Sequence, residues 1–249
     1  LASLGYAPPG ARAGERELVA VDSAYQRLRV LESGTGAGRM RFLRVNESLD
    51  SFQSVWTPEP GLLPPGHYYD HFALPLAFEG AHAAPARWDV AVVGLGAGTT
   101  VRVLEGVVAE GTELGCVGFE IDPVVLSLAR EHFELRDAPG REYHGGLDGR
   151  AGLALVNRMF DQVVLDAYAN NMEIPPHLAT VEFFRALRGA LAPGGWLTAN
   201  IGGFGPEDPV VAAMARTAAE GLGTSVVLVR VPFSRNMTLL ARVGGEVPK

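Results

Sequence analysis

Four acids stand where apolar runs end: Glu120 and Asp122 after LGCVGF at 114–119, Asp148 soon after EYH at 142–144, and Asp166 after FDQVVL at 160–165. A carboxylate so placed can accept hydroxyl or amino hydrogens, or take a proton from an attacking amine. Upstream, the apolar run VAVV at 90–93 enters a glycine cluster of Gly94, Gly96 and Gly98. Val101, Leu104, Val107 and Val108 then recur at helical spacing. Strand, tight turn, helix and strand with an acid at its tip make a nucleoside site. Glycines admit the ligand to the backbone, the helix N-terminus offers N–H groups, and the acid accepts ribose hydroxyls. Glu120 lies 24 positions after Gly96, near the separation this unit needs.

The spacing narrows the ligand. Dinucleotide sites read G-x-G-x-x-G, but Thr99 stands where the third glycine belongs, and the cluster is G-x-G-x-G. That spacing is more typical of sites for ligands of the S-adenosylmethionine type, which have no pyrophosphate to cradle. A purely structural strand-to-helix turn is the bland alternative, weighed down by the strand before the cluster and Glu120 after it.

The other acids have two readings each. Asp148 and Gly149 form an Asp-Gly turn in which the carboxylate either caps a helix or accepts from an adenine amino group. Asp166 either caps the loop it opens or serves as base and anchor for an amine, beside Tyr168, Asn170 and Asn171. Tyr68, Tyr69, Asp70 and His71 crowd together before the first nucleotide-binding strand, as a packed aromatic helix start or as polar aromatics beside the ligand. The six histidines show no H-E-x-x-H or paired-ligand spacing, so no metal is expected. Neither G-x-S-x-G nor a P-loop is present. Cys116, the single cysteine, lies inside an apolar run and reads as core.

The elements that must position these residues follow from the pattern. Residues 1 to about 16 are a Gly/Pro/Ala-rich lead-in, followed by strand-like runs at 17–21, 26–32 and 40–45, with SGTGAGR as a hairpin turn. NESLDSFQSVW at 46–56 forms a further strand pair or a loop over the site. PEPGLLPP at 58–65 breaks the chain, and HYYDHFALPLAF at 67–78 reads as a helix interrupted at Pro75. Beyond residue 88, strands at 90–93, 114–119, 142–144, 160–165 and 196–201 alternate with helices, the last of them running from about His177 to Leu191 before an APGGW turn. A helix at 209–221 and strands at 225–231 and 237–243 close the chain. The expected fold is α/β: a doubly wound, mainly parallel sheet (67–249) behind a small antiparallel β domain with its lead-in (1–66).

With 249 residues, 47% of them hydrophobic, the chain can bury a sizeable core. A net charge of -7 argues against a nucleic-acid partner and is compatible with a cationic substrate. No apolar run approaches a membrane span and no leader is evident, so the cytoplasm is the expected location. The chain begins at Leu1 rather than Met, which is compatible with a processed or excised piece.

Taken together, these stretches resemble the spermidine synthase family of aminopropyltransferases, specifically a divergent bacterial, spermidine-synthase-like branch. The resemblance runs from about residue 24 to 201: YQRLRV and its hairpin, Gln53, YYD at 68–70, VVGLGAGTT, FEID, LDG at 147–149, FDQVVLDAY, and TVEFFRALRGALAPGGWLTANI. It implies a seven-stranded, methyltransferase-like (Rossmann-like) sheet with a small N-terminal β domain, and a homodimer or higher homo-oligomer. It implies decarboxylated S-adenosylmethionine as donor, an amine as acceptor and no metal. Glu120 would hold the ribose, Asp148 the adenine and Asp166 the attacking amine; Gln53 matches a ligand-contacting Gln, and Tyr68, Tyr69 and Tyr168 would line the acceptor side. Two positions depart from the family pattern, Ala97 and Ala169 standing where it has Asp. Both acids help bind amine groups. Three readings follow: aminopropyl transfer to an amine, methyl transfer from S-adenosylmethionine, and nucleoside binding without turnover.

Overall fold

The computed structural model describes residues 14–46, 53–65, 67–80, 84–168 and 174–248. Two sheets organise them. The first is antiparallel, in the order β1 (Glu15–Asp22), β2 (Arg27–Ser33), β3 (Met40–Val45), β4 (Ser54–Trp56). Ser23 makes the first hairpin, its Oγ accepting from the N–H groups of Tyr25 and Gln26 at 3.1 and 3.0 Å. Leu28, Val30, Leu43 and Val45 pack inward. The buried arginines of the sheet are paired: Arg29 with Glu17 and Arg44 with Glu15, both at 2.6 Å. Of the stretch read as a strand pair or a loop, Ser54–Trp56 is a strand on the edge of β3, and residues 47–52 lie outside the described residues.

The turn Tyr68–Ala73 is a 3₁₀ helix that runs directly into α1 (Leu74–Gly80). Pro75 therefore lies in the first turn of α1 and does not interrupt it. In a first turn its missing N–H has no partner to lose.

The second sheet follows in chain order: β5 (Arg87–Val93), α2 (Thr99–Val107), β6 (Glu113–Glu120), α3 (Pro123–His132), β7 (Arg141–Gly145), α4 (Gly149–Leu155), β8 (Phe160–Leu165), α5 (Val181–Ala190), β9 (Leu191–Gly202), α6 (Pro209–Leu222), β10 (Val226–Arg230) and β11 (Asn236–Arg242). Its seven strands run in the order β10-β11-β9-β8-β5-β6-β7, parallel from β9 to β7, with β11 antiparallel to both β9 and β10. This is the methyltransferase-like sheet expected.

Two boundaries move. The helix expected from His177 begins at Val181, where Thr180 Oγ1 accepts from Phe183 N–H and supplies the N-cap, and the residues before it form a short 3₁₀ turn. The APGGW stretch is not a separate turn but the irregular start of β9, with Gly194 at φ 82° and the register to β8 shifting there.

The order of the strands locates the site. From β5 the chain winds outward through β6 and β7, then returns to the other side of β5 for β8 and β9, so the topological switch lies between β5 and β8. Val93 pairs with Phe119 on one side and Leu165 on the other, and Leu165 pairs with Ala199. Gly94, Glu120, Asp166 and Asn200 are thus the next residues out, side by side on the carboxyl edge. Alternate residues of β5 pack into the cores on the two faces of the sheet. Val90 and Val92 face a core shared with the first sheet, α2 and α3; Ala91 and Val93 face a core with α4, α5 and α6. Between them Gln162 is buried but fully engaged, accepting from Trp88 Nε1 and donating to Phe72 O and Thr198 Oγ1.

Candidate active site

The glycine turn is built by close backbone approach. Gly94, Gly96 and Gly98 have φ of 86°, 55° and 87°. A Cβ on Gly94 would lie 2.6 Å from the Ala167 backbone, and one on Gly96 would lie 2.7 Å from Ser54 Oγ. The amides of this turn are already engaged by the protein. Gly94 and Leu95 donate to Phe119 O, Gly96 to Glu120 Oε2 at 2.9 Å, Ala97 to Ser54 Oγ at 2.7 Å, and Gly98 to Leu95 O. A turn so committed offers no nest for a pyrophosphate. Thr99 gives the physical reason for losing the third glycine: its Oγ1 accepts from Val55 N–H and donates to Val55 O (2.8 and 2.9 Å), clamping β4 to α2. A glycine there would remove both of these bonds between β4 and α2.

Glu120 ends β6 almost buried, its two oxygens accepting from Gly96 N–H and, at 3.1 Å, Asp122 N–H. Burial raises its pKa above the usual carboxylate range, against the pull of those two amides. Asp122 caps α3 through Val124 N–H and accepts from Ser23 Oγ at 2.6 Å, so it ties the first hairpin to the second sheet. Asp148 does what a helix cap does: its Oδ1 accepts from Arg150 and Ala151 N–H at the start of α4. Its other oxygen meets His177 Nε2 at 2.7 Å. Burial pushes this carboxyl up, but His177 and the two amides outweigh it and hold it below the usual range. Gly149 follows because a Cβ there would drive into Val93.

Asp166 receives two donors. The Tyr68 hydroxyl donates to Oδ2 at 3.0 Å and Asn200 Nδ2 to Oδ1 at 2.9 Å. Burial dominates its titration and lifts it to about 7; the two hydrogen bonds oppose this and the nearby Glu120 adds to it. Tyr68 stacks on Tyr69 with ring centroids 4.2 Å apart. Tyr69 donates to Gln53 O at 2.6 Å, which sets the end of β4 beside the glycine turn. Tyr168 donates to Asn200 O at 2.8 Å. Burial first, then the charge of Asp166, pushes all three tyrosines upward, so they stay protonated donors. The aromatic cluster is a packed helix start, with Tyr69 and Phe72 in the core and the Tyr68 hydroxyl on Asp166.

Of the residues read from sequence, the structure brings Gln53, Tyr68, Tyr69, Gly94, Gly96, Glu120, Asp166 and Tyr168 into one connected set. Asp148 and Gly149 come instead from the start of α4, where Gly149 packs against Val93 of β5, and Gly98 turns away to meet Leu135. Ala169, Asn170 and Asn171 lie outside the described residues. Ala97 is buried and presents no polar side chain. Sequence reading missed Ser54, Asn200 and His177. Only Asn200 carried a signal: a polar residue inside the apolar strand 196–201, with the parity that faces Asp166. Among the described residues no three His, Cys, Asp or Glu group as a metal site would, and no helix is long and apolar enough to cross a membrane.

No family model matches the chain. It is 33% identical over 201 residues, 78% of its length, to a probable polyamine aminopropyl transferase of Bifidobacterium longum. It is 31% identical over 136 residues, 53% of its length, to a polyamine aminopropyltransferase of Vibrio vulnificus. The chain spans 41% and 43% of the lengths of these two relatives. Among solved structures, a probable spermidine synthase from Corynebacterium glutamicum superposes with a TM-score of 0.70 at 21% identity, over 90% of this chain and 79% of that one. Human methyltransferase-like protein 13, solved in complex with SAH, superposes with a TM-score of 0.59 at 18% identity, over 71% of this chain and 82% of that one. At such identities the structural likeness speaks for the fold, and the sequence relationship speaks for the lineage. The chain is a relative of the polyamine aminopropyltransferases, the spermidine synthase family.

Proposed function

We propose that the chain transfers an aminopropyl group from decarboxylated S-adenosylmethionine to an amine, with Asp166 as the proton acceptor. The observation that carries this is Asp166 itself, at the switch point of the sheet, held by Tyr68 and Asn200 and poised to titrate at about 7. An amine is mostly protonated near neutral pH, and only its neutral form can attack the carbon beside a sulfonium. The nitrogen–carbon bond forms as the carbon–sulfur bond breaks, methylthioadenosine leaves, and the proton shed by nitrogen goes to Asp166. A base with its pKa near the operating pH serves this best. Glu120 takes the ribose hydroxyls, Asp148 and Gly149 face the nucleobase, and Tyr68, Tyr69 and Tyr168 line the acceptor side. Alignment and proton removal are all that this displacement requires of the protein.

Methyl transfer from S-adenosylmethionine is the second reading, and one observation favours it. Ala97 is buried with its N–H held by Ser54 Oγ, so this corner of the site offers no carboxylate to an ammonium group. Isothermal calorimetry with decarboxylated S-adenosylmethionine, S-adenosylmethionine, methylthioadenosine and NAD separates the readings. Tighter binding of the decarboxylated donor, binding of methylthioadenosine, and none of NAD are expected. Micromolar NAD binding without response to methylthioadenosine would overturn the nucleoside reading, and preference for intact S-adenosylmethionine would select methyl transfer.

A further inference from the structure

Behind Asp166 stands a chain of polar side chains that the reaction above does not use. Asn200, buried near the end of β9, donates Nδ2 to Asp166 Oδ1 and accepts at its own oxygen from Asn236 Nδ2 at 2.7 Å. Asn236 opens β11, and its oxygen accepts from Ser234 Oγ at 2.6 Å, in the turn joining β10 to β11. Asn200 pairs in register with Thr238 and Gly202 with Asn236, so the two asparagines are diagonal neighbours on one face of a rigid ladder. The chain runs in one consistent direction, from Ser234 through Asn236 and Asn200 to Asp166. A hydroxyl hydrogen on the Asn236 oxygen turns the Asn236 amino group toward Asn200, and that turns the Asn200 amino group toward Asp166. Reversing either amide alone would set oxygen against oxygen or N–H against N–H.

We infer that Asn236, acting through Asn200, is a positioning residue that holds Asp166 as an ionised proton acceptor rather than as a carboxylic acid. An ionised Asp166 has donors on both oxygens, from Tyr68 and Asn200. A protonated Asp166 needs an acceptor for its hydrogen, and a reversed Asn200 amide would provide one. The relay opposes that reversal, because Asn200 can turn without a clash only if Asn236 turns with it and Ser234 changes from donor to acceptor. The other groups facing Asp166 are Tyr68 and Tyr69 from the 3₁₀ turn, Tyr168 from its own loop and Glu120 from β6. Burial and Glu120 push toward the protonated form, so the relay works against its surroundings. This inference rests on Asp166 being the base of the proposed reaction, but its test does not need turnover.

The test is a carboxyl titration by NMR in protein labelled with ¹³C-aspartate, the Asp166 signal being identified by its loss in Asp166→Asn. Asn236→Asp keeps the shape but offers only acceptors, so Asn200 must turn its amino group to residue 236 and its oxygen to Asp166. The Asp166 midpoint should rise by about one pH unit or more. Asn236→Leu adds no charge but frees the Asn200 amide, and should raise the midpoint in the same direction by a smaller amount. Ser234→Ala, which removes only the outermost hydroxyl, should do the same and leaves the core intact should Asn236→Leu fail to fold. A rise confined to Asn236→Asp is plain charge repulsion and overturns the relay, as do unmoved midpoints in all three. Absence of turnover with every amine counts against the proposed reaction, and only the titration decides the relay.

Discussion

Replacing Asp166 by Asn should make the protein more stable while removing its function. In the native state this carboxyl is lifted from an ordinary value of 3.8 to about 7 by burial, so the ionised form is held against its preference. At about 1.36 kcal/mol per pH unit that rise corresponds to ~4 kcal/mol. The residue is only partly buried, so solvent screens some of this and a gain of about 2–4 kcal/mol is expected in the variant. Asn fits the geometry: its oxygen can accept from Asn200 Nδ2 while its amino group donates to the Tyr68 oxygen, the tyrosine turning its hydrogen elsewhere. The sign follows from the raised native pKa. Below about pH 4 the carboxyl is protonated in native and unfolded chains alike, and parent and variant should differ little. As pH rises from about 4 to 7 the unfolded chain ionises first, and the parent loses stability relative to the variant. Above about 7 the difference is full. Urea unfolding of both proteins at several pH values measures it, with the slope against denaturant as a check that the unfolded states match. A difference that does not change between pH 4 and 8 would refute the burial argument. Turnover on the best amine should meanwhile fall by about 10²–10⁴, the contribution of a positioned base.

The parent's rate should decline as pH falls through about 7, because the base must be ionised, and the Asp166→Asn residue of activity should lack that inflection; a parent profile flat from pH 6 to 8 would count against Asp166 as base. Glu120→Ala should weaken methylthioadenosine binding by about 1.5–3 kcal/mol, the worth of hydrogen bonds to a charged acceptor, measured by calorimetry. It also frees the Gly96 and Asp122 amides, so some loss of melting temperature should accompany it. Thr99→Gly restores the dinucleotide spacing but removes both bonds to Val55. Stability should fall by about 1–3 kcal/mol, amide exchange at Val55 should quicken, and NAD should still not bind. Protection of Val55 equal to the parent's would remove the clamp assigned to Thr99.

Much of this protein is legible in one dimension. The unit from Trp88 to Asp122 is local: apolar strand, glycine turn, helix and acid-tipped strand follow one another in sequence, and the positive φ of the turn calls for glycine at 94 and 96. The alternation of strands and helices then forces a parallel, doubly wound sheet, and Asp166 at the end of an apolar strand falls on its carboxyl edge for the same reason. What sequence left open is what depends on partners distant along the chain. Whether Tyr68 and Tyr69 were core or lining turned on Asp166, 98 positions from Tyr68, and on Gln53. Pro75 read as a helix breaker because composition does not say whether a proline falls in the first turn or the interior. The roles of Ser54 and Thr99 follow from docking the first sheet against α2, and Asn200 and Asn236 from the antiparallel return of β11 beside β9. A polar residue in an apolar strand gives no sign of its partner, because hydrogen bonds have no period. Only the folded register, by setting Asn200 beside Asp166 and Asn236 behind it, decides that the carboxylate meets donors on both sides.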